Sequence, residues 1–218
     1  MKNDDNPVVN GWDQIWQGYR APNFFGRRLH AERIKTLRKV LAGISLPLTA
    51  SIVDAGCGSG STLSILRRLG YAKAIGIDAA VNSLKISAQL FGFQTDKDVF
   101  LRDIKQTGFA DGSFDMVFSQ GVLEHYENRS DALEIVKEMC RISRRYILLV
   151  QPDQTSLTGR LKELWHSLSG ASWEKEYRYT RTDYTSMLDK CGFRLVGSGS
   201  SNLQEEMWLL YAKTRAAI

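Results

Sequence analysis

A glycine-rich loop that follows an acidic residue is the first stretch of this sequence able to carry chemistry. Gly56, Gly58 and Gly60 stand at every second position of the loop. Asp54 precedes them at the end of a short apolar run, and Ser61 opens a helical pattern after them. Glycine reaches backbone angles that other residues avoid, and its missing side chain lets a ligand lie against the main chain. The stretch therefore predicts a strand, a tight loop and a helix N-terminus that together hold a small molecule.

Two further acidic residues end the next two apolar runs, Asp78 after 74–77 and Asp103 after 99–102. If these runs are neighbouring parallel strands, their carboxyl ends meet at the ligand-binding edge of an open α/β sheet. A carboxylate at position 78 can accept hydrogen bonds from two vicinal ribose hydroxyls, and each charge-assisted bond contributes about 1.5–3 kcal/mol. Asp103 and the backbone N–H of Ile104 can face the amino edge and a ring nitrogen of an adenine. The joint placement of the acids beside one glycine loop favours a ligand site.

Alternating strand and helix patterns surround these acids and predict the fold. Apolar runs of strand length alternate with helical patterns that end at glycines, which is typical of right-handed βαβ units in a parallel sheet with helices on both sides. The predicted strands are 52–54, 74–78, 99–103, 114–119, 146–150, 193–196 and 207–211. Only a few residues separate the last two, so these should pair as an antiparallel hairpin. The sequence therefore predicts an α/β, Rossmann-like, doubly wound sheet that is mostly parallel.

As a set, these motifs resemble those of class I S-adenosylmethionine-dependent methyltransferases of the small-molecule type. The resemblance extends over residues 48–213 and rests on the segments 53–60, 76–78, 102–104, 113–119, 122–126 and 191–193. It implies a seven-stranded sheet in the order 3-2-1-4-5-7-6 with an antiparallel strand 7, S-adenosylmethionine as cofactor and S-adenosylhomocysteine as product. The cofactor-binding residues that it implies are Asp54, Gly56, Cys57, Gly58, Gly60, Asp78, Ala79, Asp103, Ile104, Gln120 and Val122.

Methyl transfer from a sulfonium needs little from the protein, because the leaving group is already good. Orienting the acceptor near the methyl group can supply about 7–11 kcal/mol of the barrier. A general base is needed only when the acceptor must lose an acidic proton. His125, just after the fourth strand, is the candidate base, although its place in a Leu-Glu-His segment that recurs in the family favours a structural role.

Missing motifs narrow the acceptor. No Asn- or Asp-Pro-Pro-aromatic run follows the fourth strand, which counts against amino methylation of DNA bases, and no cysteine follows a proline as a cytosine C5 nucleophile would. No acidic cluster after the fourth or fifth strand indicates a metal site of the catechol-methylating type. We therefore expect a small-molecule acceptor and no metal.

Two aromatic segments outside the alternating core are candidate walls of an acceptor pocket. In the first, aromatic residues share one face of a short helix, and the second is an insertion before the last βα pair. The candidate acceptor contacts are Trp12, Trp16, Tyr19, Trp165, Trp173 and Tyr177. We interpret the chain as a single domain over 1–218, with an N-terminal helical arm over 1–45 and a helical insertion over 152–179. Each segment packs on the core, forms a dimer contact or closes over the acceptor.

Composition and charge favour a globular cytoplasmic protein. The net charge of +5 comes from interspersed signs, and nucleic acid is not indicated as a partner. The basic residues in and just before the amphipathic helix over 31–41 are interpreted as a solvated face; they are Arg27, Arg28, Arg33, Lys35, Arg38 and Lys39. Three sparse cysteines suit a reducing compartment. No apolar run approaches the roughly 18 residues of a membrane span, so no membrane partner is expected.

Three alternatives stay open from the sequence. The acceptor could be RNA or protein, or the chain could bind S-adenosylmethionine without catalysis. A nicotinamide oxidoreductase is disfavoured, because the dinucleotide fingerprint G-x-G-x-x-G places its third glycine one position later than this loop does.

Overall fold

The computed structural model of this protein describes residues 7–19, 24–153, 179–201 and 206–214. Side chains are described for residues 9–19, 31–153, 179–200 and 206–214. Most of the predicted insertion over 152–179, with Trp165, Trp173 and Tyr177, lies outside these ranges.

The described strands form one mixed sheet. They are β1 (Ile52–Ala55), β2 (Ala74–Asp78), β3 (Val99–Leu101), β4 (Phe114–Gln120), β5 (Ser143–Pro152), β6 (Phe193–Ser201) and β7 (Glu206–Lys213). Their order in the sheet is β3-β2-β1-β4-β5-β7-β6. β1 to β5 pair in parallel, whereas β7 pairs antiparallel with both β5 and β6. The predicted fold class and strand order are confirmed.

Helices cover both faces of the sheet. The described helices are α1 (Pro7–Gln17), α2 (Phe24–Ala42), α3 (Ser61–Arg68), α4 (Val81–Phe91), α5 (Arg129–Ile142) and α6 (Arg181–Asp189), and Leu123–His125 forms one 3₁₀ turn. On one face, α2 and α3 bury Leu37 and Leu63 in a common core. On the other, α5 and α6 bury Ile135 and Tyr184. Among the described residues, no helix is both long enough and apolar enough to cross a membrane.

The carboxyl ends of β1, β2, β3 and β4 meet at one edge of the sheet, which is where the acids were predicted. Asp54 lies opposite Gly76 in the β1–β2 ladder, one pair before the end of β1. β1 is buried at all four positions, as a central parallel strand should be. The loops that leave these strands therefore converge above one side of the sheet.

β3 ends earlier than the predicted run 99–103, which places Asp103 in a turn. Asp103 Oδ1 accepts the backbone N–H of Lys105 at 2.8 Å, a local bond that favours a turn over a strand. The backbone N–H of Arg102 still donates to the carbonyl of Asp78 at 2.9 Å. Asp103 therefore stays at the carboxyl edge, beside the end of β2.

Candidate functional site

A cavity of about 220 Å³ lies over the carboxyl ends of β1, β2, β3 and β4. The predicted cofactor residues that line it are Asp54, Gly56, Cys57, Gly58, Asp78, Ala79, Asp103, Ile104, Gln120 and Val122. Trp12 and Trp16 of α1 line it as well. Gly60 does not line this cavity. It precedes α3, and a Cβ built on it would lie 3.0 Å from the ring of Phe93.

The glycines of the loop make room for the protein's own side chains. Gly56 and Gly58 have φ of 79° and 50°, a left-handed conformation that other residues rarely adopt. A Cβ on Gly56 would lie 2.3 Å from Val122 Cγ2, and a Cβ on Gly58 would lie 2.7 Å from Trp16 Cζ2. From the sequence, we expected a ligand to occupy the space left by the missing side chains of these glycines. Val122 and Trp16 fill that space instead, so a ligand must bind in the cavity beside these contacts.

Asp78 ties the glycine loop to the turn after β2. Its Oδ2 accepts the backbone N–H of Gly58 at 2.8 Å, and its Oδ1 accepts that of Ala80 at 2.9 Å. Burial raises the pKa of this carboxyl, while hydrogen bonding from the backbone N–H groups of Ala80, Gly58 and Ala79 and from the side chain of Ser83 opposes that rise. A carboxylate oxygen can accept more than one hydrogen bond. Asp78 can therefore hold the loop and also accept hydroxyl groups of a ligand in the cavity.

Asp54 is a buried carboxyl with unused hydrogen-bonding capacity. It is 2% exposed, and its Oδ2 has no hydrogen-bond partner among the described residues. Burial, and then the charge of Asp78, raise its pKa to about 7, whereas the N–H of Leu63 and the charge of Arg33 lower it. Buried polar atoms are nearly always paired in folded proteins, so an unpaired one beside a cavity indicates a place for a ligand donor.

Arg33 of α2 is a cavity residue that no sequence motif predicted. Its Nη2 pairs with Glu206 Oε1 of β7 at 2.7 Å, and the amide nitrogen of Gln120 donates to the same oxygen at 2.7 Å. Arg33 Nε is buried and, within the part of the chain that the structure describes, lacks a hydrogen-bond partner. The expectation that Arg33 lies on a solvated face is wrong. A signal was available, because Arg33 stands four positions before Leu37, which is fully buried on the same helix face.

His125 does not line the cavity but packs beneath α1. Its ring makes an edge contact with Trp12 at 4.7 Å between centroids, and its Nε2 lies 3.8 Å from Glu124 Oε1. Its side chain is 10% exposed. Tyr19 also lies off the cavity, and its ring contacts that of Trp16 at 5.2 Å. Of the predicted acceptor contacts that the structure describes, Trp12 and Trp16 are the two at the cavity.

The thiol of Cys57 packs beneath the loop. A Cβ built on Gly76 of β2 would lie 2.7 Å from Cys57 Sγ, so the thiol occupies the space that this glycine leaves. Burial raises the pKa of Cys57 well above its usual value. The thiol is therefore a packing group. In the described ranges, no three His, Cys, Asp or Glu side chains are arranged to hold a metal ion.

Comparison with known proteins identifies a methyltransferase domain in part of the chain. Residues 53–146 match a family model described as a methyltransferase domain. A curated relative, the mitochondrial ubiquinone biosynthesis O-methyltransferase of Dictyostelium discoideum, is 29% identical over 110 residues. That match covers 45% of this chain and 34% of the relative, so it spans about a third of the relative's length.

Solved structures share the fold along nearly the whole chain. Magnesium protoporphyrin IX methyltransferase from Synechocystis PCC 6803, crystallised with S-adenosylhomocysteine, superposes with a TM-score of 0.68 at 18% identity over 98% of each chain. An S-adenosylmethionine-dependent methyltransferase from Methanosarcina mazei superposes with a TM-score of 0.60 at 18% identity, over 78% of this chain and 95% of that one.

The sheet order, the acids at its carboxyl edge and the matched family model define one class of protein. Residues 53–146 match a methyltransferase domain, and the strand order of the sheet is the one that the resemblance to class I S-adenosylmethionine-dependent methyltransferases predicted. S-adenosylmethionine is the cofactor of this class, and a similar structure holds S-adenosylhomocysteine.

Proposed function

We propose that the whole protein transfers a methyl group from S-adenosylmethionine to a small-molecule acceptor. The observation that carries the proposal is a pair of oppositely charged groups at one cavity, each with an unpaired buried atom. Asp54 Oδ2 and Arg33 Nε both lack hydrogen-bond partners among the residues described, and both side chains border the cavity. The amino-acid end of the cofactor carries one ammonium and one carboxylate on the same carbon. Asp54 would bind the ammonium and Arg33 the carboxylate, so the residues fit the group.

The other end of the cavity suits the nucleoside. Asp78 would accept the ribose hydroxyls, because it borders the cavity and a carboxylate oxygen can accept a further hydrogen bond beside the one from a backbone N–H. Asp103 and Ile104 border the same end and would face the adenine. Tyr126 lines this end too, with Lys105 Nζ 5.4 Å from its ring centroid.

When bound, the cofactor supplies an electrophilic methyl group on a positively charged sulfur. The protein's part is to hold the acceptor's lone pair in line with that methyl and to exclude water. Trp12 and Trp16 supply an apolar wall for both purposes. For an acceptor that must lose a proton, His125 stays the proposed base, although its ring lies off the cavity in edge contact with Trp12, and Trp12 would have to move before His125 could reach the acceptor.

The names of similar proteins support a small acceptor. The curated relative is an O-methyltransferase of ubiquinone biosynthesis, and a similar structure methylates magnesium protoporphyrin IX. Both act on small organic molecules. We propose that the arm over 1–45 and the insertion over 152–179 form the acceptor pocket of one domain over 1–218. We also propose a cytoplasmic location, consistent with three free cysteines.

The test combines binding and turnover. Calorimetry with S-adenosylhomocysteine should give one site per chain, and methyl-labelled S-adenosylmethionine should label members of a panel of phenols, carboxylic acids and small amines. The absence of any S-adenosylhomocysteine binding would overturn the cofactor assignment. Binding accompanied by labelling of RNA or protein, with none of the panel labelled, would overturn the acceptor class.

A further inference from the structure

The N-terminal helix α1 contacts both loops that build the cavity. Its Trp16 ring packs on Gly58 of the glycine loop, where a Cβ would be 2.7 Å away. Its Asp13 bonds to Asn82, the second residue of α4, which directly follows the turn after β2. Trp12, one position before Asp13, and Trp16, three positions after it, line the cavity itself. α1 therefore covers the cavity while touching both walls.

Three hydrogen bonds join Asp13 to Asn82. Asp13 Oδ1 accepts the backbone N–H of Asn82 at 2.7 Å, and its Oδ2 accepts the side-chain amide at 2.9 Å. The same amide donates to the backbone carbonyl of Asp13 at 3.1 Å. The contact joins segments 69 positions apart in the chain, so it is tertiary rather than local.

Asp13 caps the N-terminus of α4 from another part of the chain. The first N–H groups of a helix have no partner inside the helix, and a side-chain oxygen before the helix usually accepts one of them. Ala80 is the residue at that position of α4, and it makes no side-chain cap bond. The carboxylate of Asp13 takes over this role from α1, and its negative charge is favoured at a helix N-terminus.

We propose that Asp13 is a positioning residue, a latch that holds α1 over the cavity and couples its closure to cofactor binding. This rests on the proposed function, because it takes the cavity to be the cofactor site. The coupling has a short physical path. Asp78, the proposed ribose ligand, accepts the N–H of Ala80, and Asn82 follows two residues later.

A ligand that fixes the turn after β2 therefore favours the docked position of α1, and docked α1 slows the escape of the ligand. Such coupling is reciprocal, so a change that weakens the contact between Asp13 and Asn82 must also lower the affinity for the ligand. Trp12 and Trp16 line the cavity and Trp16 packs on Gly58, so under this proposal the ligand leaves more readily when α1 moves away from Gly58. Loss of the contact between Asp13 and Asn82 should therefore change the dissociation rate of the ligand more than its association rate.

The experiment uses the full chain and S-adenosylhomocysteine as the probe, with stopped-flow tryptophan fluorescence for rates and calorimetry for affinity. Asp13→Ala should speed dissociation about tenfold or more, which is the change expected for one lost charge-assisted hydrogen bond, and should leave association equal or faster. Asp13→Asn keeps the shape and one acceptor, so its effect should be smaller. Gln14→Ala is the matched control, an exposed position next along the same helix.

Asn82→Ala removes the amide contacts but keeps the backbone N–H that Asp13 accepts. Its effect should be smaller than that of Asp13→Ala, and the double variant should not exceed Asp13→Ala alone, since both act on one contact. Additive effects would contradict a shared latch.

Thermal melting without ligand separates a latch from a merely structural contact. If Asp13→Ala and Asp13→Asn melt at a lower temperature but keep the wild-type dissociation rate, the proposal is overturned and Asp13 is only a cap. If the wild-type protein itself does not bind S-adenosylhomocysteine, the proposed function fails first and the latch fails with it.

Discussion

The carboxylate of Asp78 accepts the backbone N–H of Gly58 at 2.8 Å, so the residue proposed to bind the ribose also fixes the glycine loop. Its second oxygen fixes the turn that leads into α4. Removing this side chain therefore has two separable consequences, one for the ligand and one for the empty site. Ligands that share the nucleoside but differ in the amino-acid end can separate the residues that bind each half.

Asp78→Ala should weaken both S-adenosylhomocysteine and 5′-methylthioadenosine by about tenfold or more, because both ligands carry the ribose and each lost charged bond contributes about 1.5–3 kcal/mol. Asp78→Asn should be intermediate, since its amide keeps one acceptor oxygen. Calorimetry with both ligands checks this. An unchanged affinity for 5′-methylthioadenosine in Asp78→Ala would rule out the ribose assignment.

Arg33→Met should weaken S-adenosylhomocysteine by about tenfold while leaving 5′-methylthioadenosine, which has no carboxylate, within about twofold of the wild type. Arg38→Met, at an exposed position on the same helix, is the control and should change neither affinity. Equal losses for the two ligands would show that Arg33 supports the cavity without touching the carboxylate.

The same substitution should also lower stability, because Glu206 would lose its cation. The side chains of Arg33 and Glu206 are 23% and 12% exposed. This ion pair is neither fully exposed nor fully buried, so its loss should cost more than that of a surface pair and less than that of a buried pair. We expect a loss of about 2 kcal/mol in the free energy of unfolding. Adding Glu206→Gln should restore much of that stability in denaturant unfolding but not the affinity for S-adenosylhomocysteine. Recovery of both would contradict a direct contact between Arg33 and the ligand.

Gly58→Ala should disturb the site beyond its backbone cost. A non-glycine residue in a left-handed conformation costs about 1–2 kcal/mol, and here the new Cβ would also meet the Trp16 ring. Gly92→Ala is the matched control, because Gly92 has φ of 71° and no atom within 4 Å of an added Cβ. Both variants should lose similar stability by denaturant titration, whereas only Gly58→Ala should release S-adenosylhomocysteine faster. If the two variants release S-adenosylhomocysteine at the same rate, the contact of Trp16 with Gly58 does not affect ligand release.

The sequence was sufficient for the fold because its signals are local. Apolar runs, helix periods and glycine stops repeat along the chain, and their alternation predicts a mostly parallel sheet with helices on both faces. The order of the strands came from the resemblance to class I methyltransferases. Asp54, Asp78 and Asp103 were predicted at the site for the same reason, since each ends or follows a strand whose carboxyl end lies at one edge. Even the misplaced end of β3 left Asp103 at the cavity.

The contacts that shape the site could not be predicted in the same way, because they join distant parts of the chain. Arg33 and Glu206 are 173 positions apart, and neither belongs to a spaced motif. The sequence analysis expected a ligand to lie against Gly58, but the ring of Trp16 packs there. A glycine indicates that some group approaches the backbone closely, and its sequence position does not identify that group. Only the tertiary structure identifies the neighbour.

Asp54→Asn should remove the pH dependence that Asp54 gives to stability and to binding. The pKa of Asp54 is about 7 in the folded protein against 3.8 for an ordinary aspartate, so between these values the folded state holds more protons than the unfolded state. The free energy of unfolding should therefore fall as pH rises from about 4 to 7, and the penalty is fully present above that window. Asparagine is neutral throughout. The variant should melt roughly 5 °C or more above the wild type at pH 8, with a smaller difference at pH 5.5.

Binding should respond with the opposite sign, because an ammonium is held by the ionised carboxylate. Wild-type affinity for S-adenosylhomocysteine should rise as pH passes through about 7, while Asp54→Asn should bind weakly and show little of this rise. Asp111→Asn, at a side chain that is 83% exposed, is the control and should follow the wild type in melting and in calorimetry. Parallel melting profiles for Asp54→Asn and the wild type would show that Asp54 does not titrate in this window. A wild-type affinity that stays flat with pH would place the ammonium elsewhere, because a carboxylate that binds a cation must lose affinity when it takes up a proton.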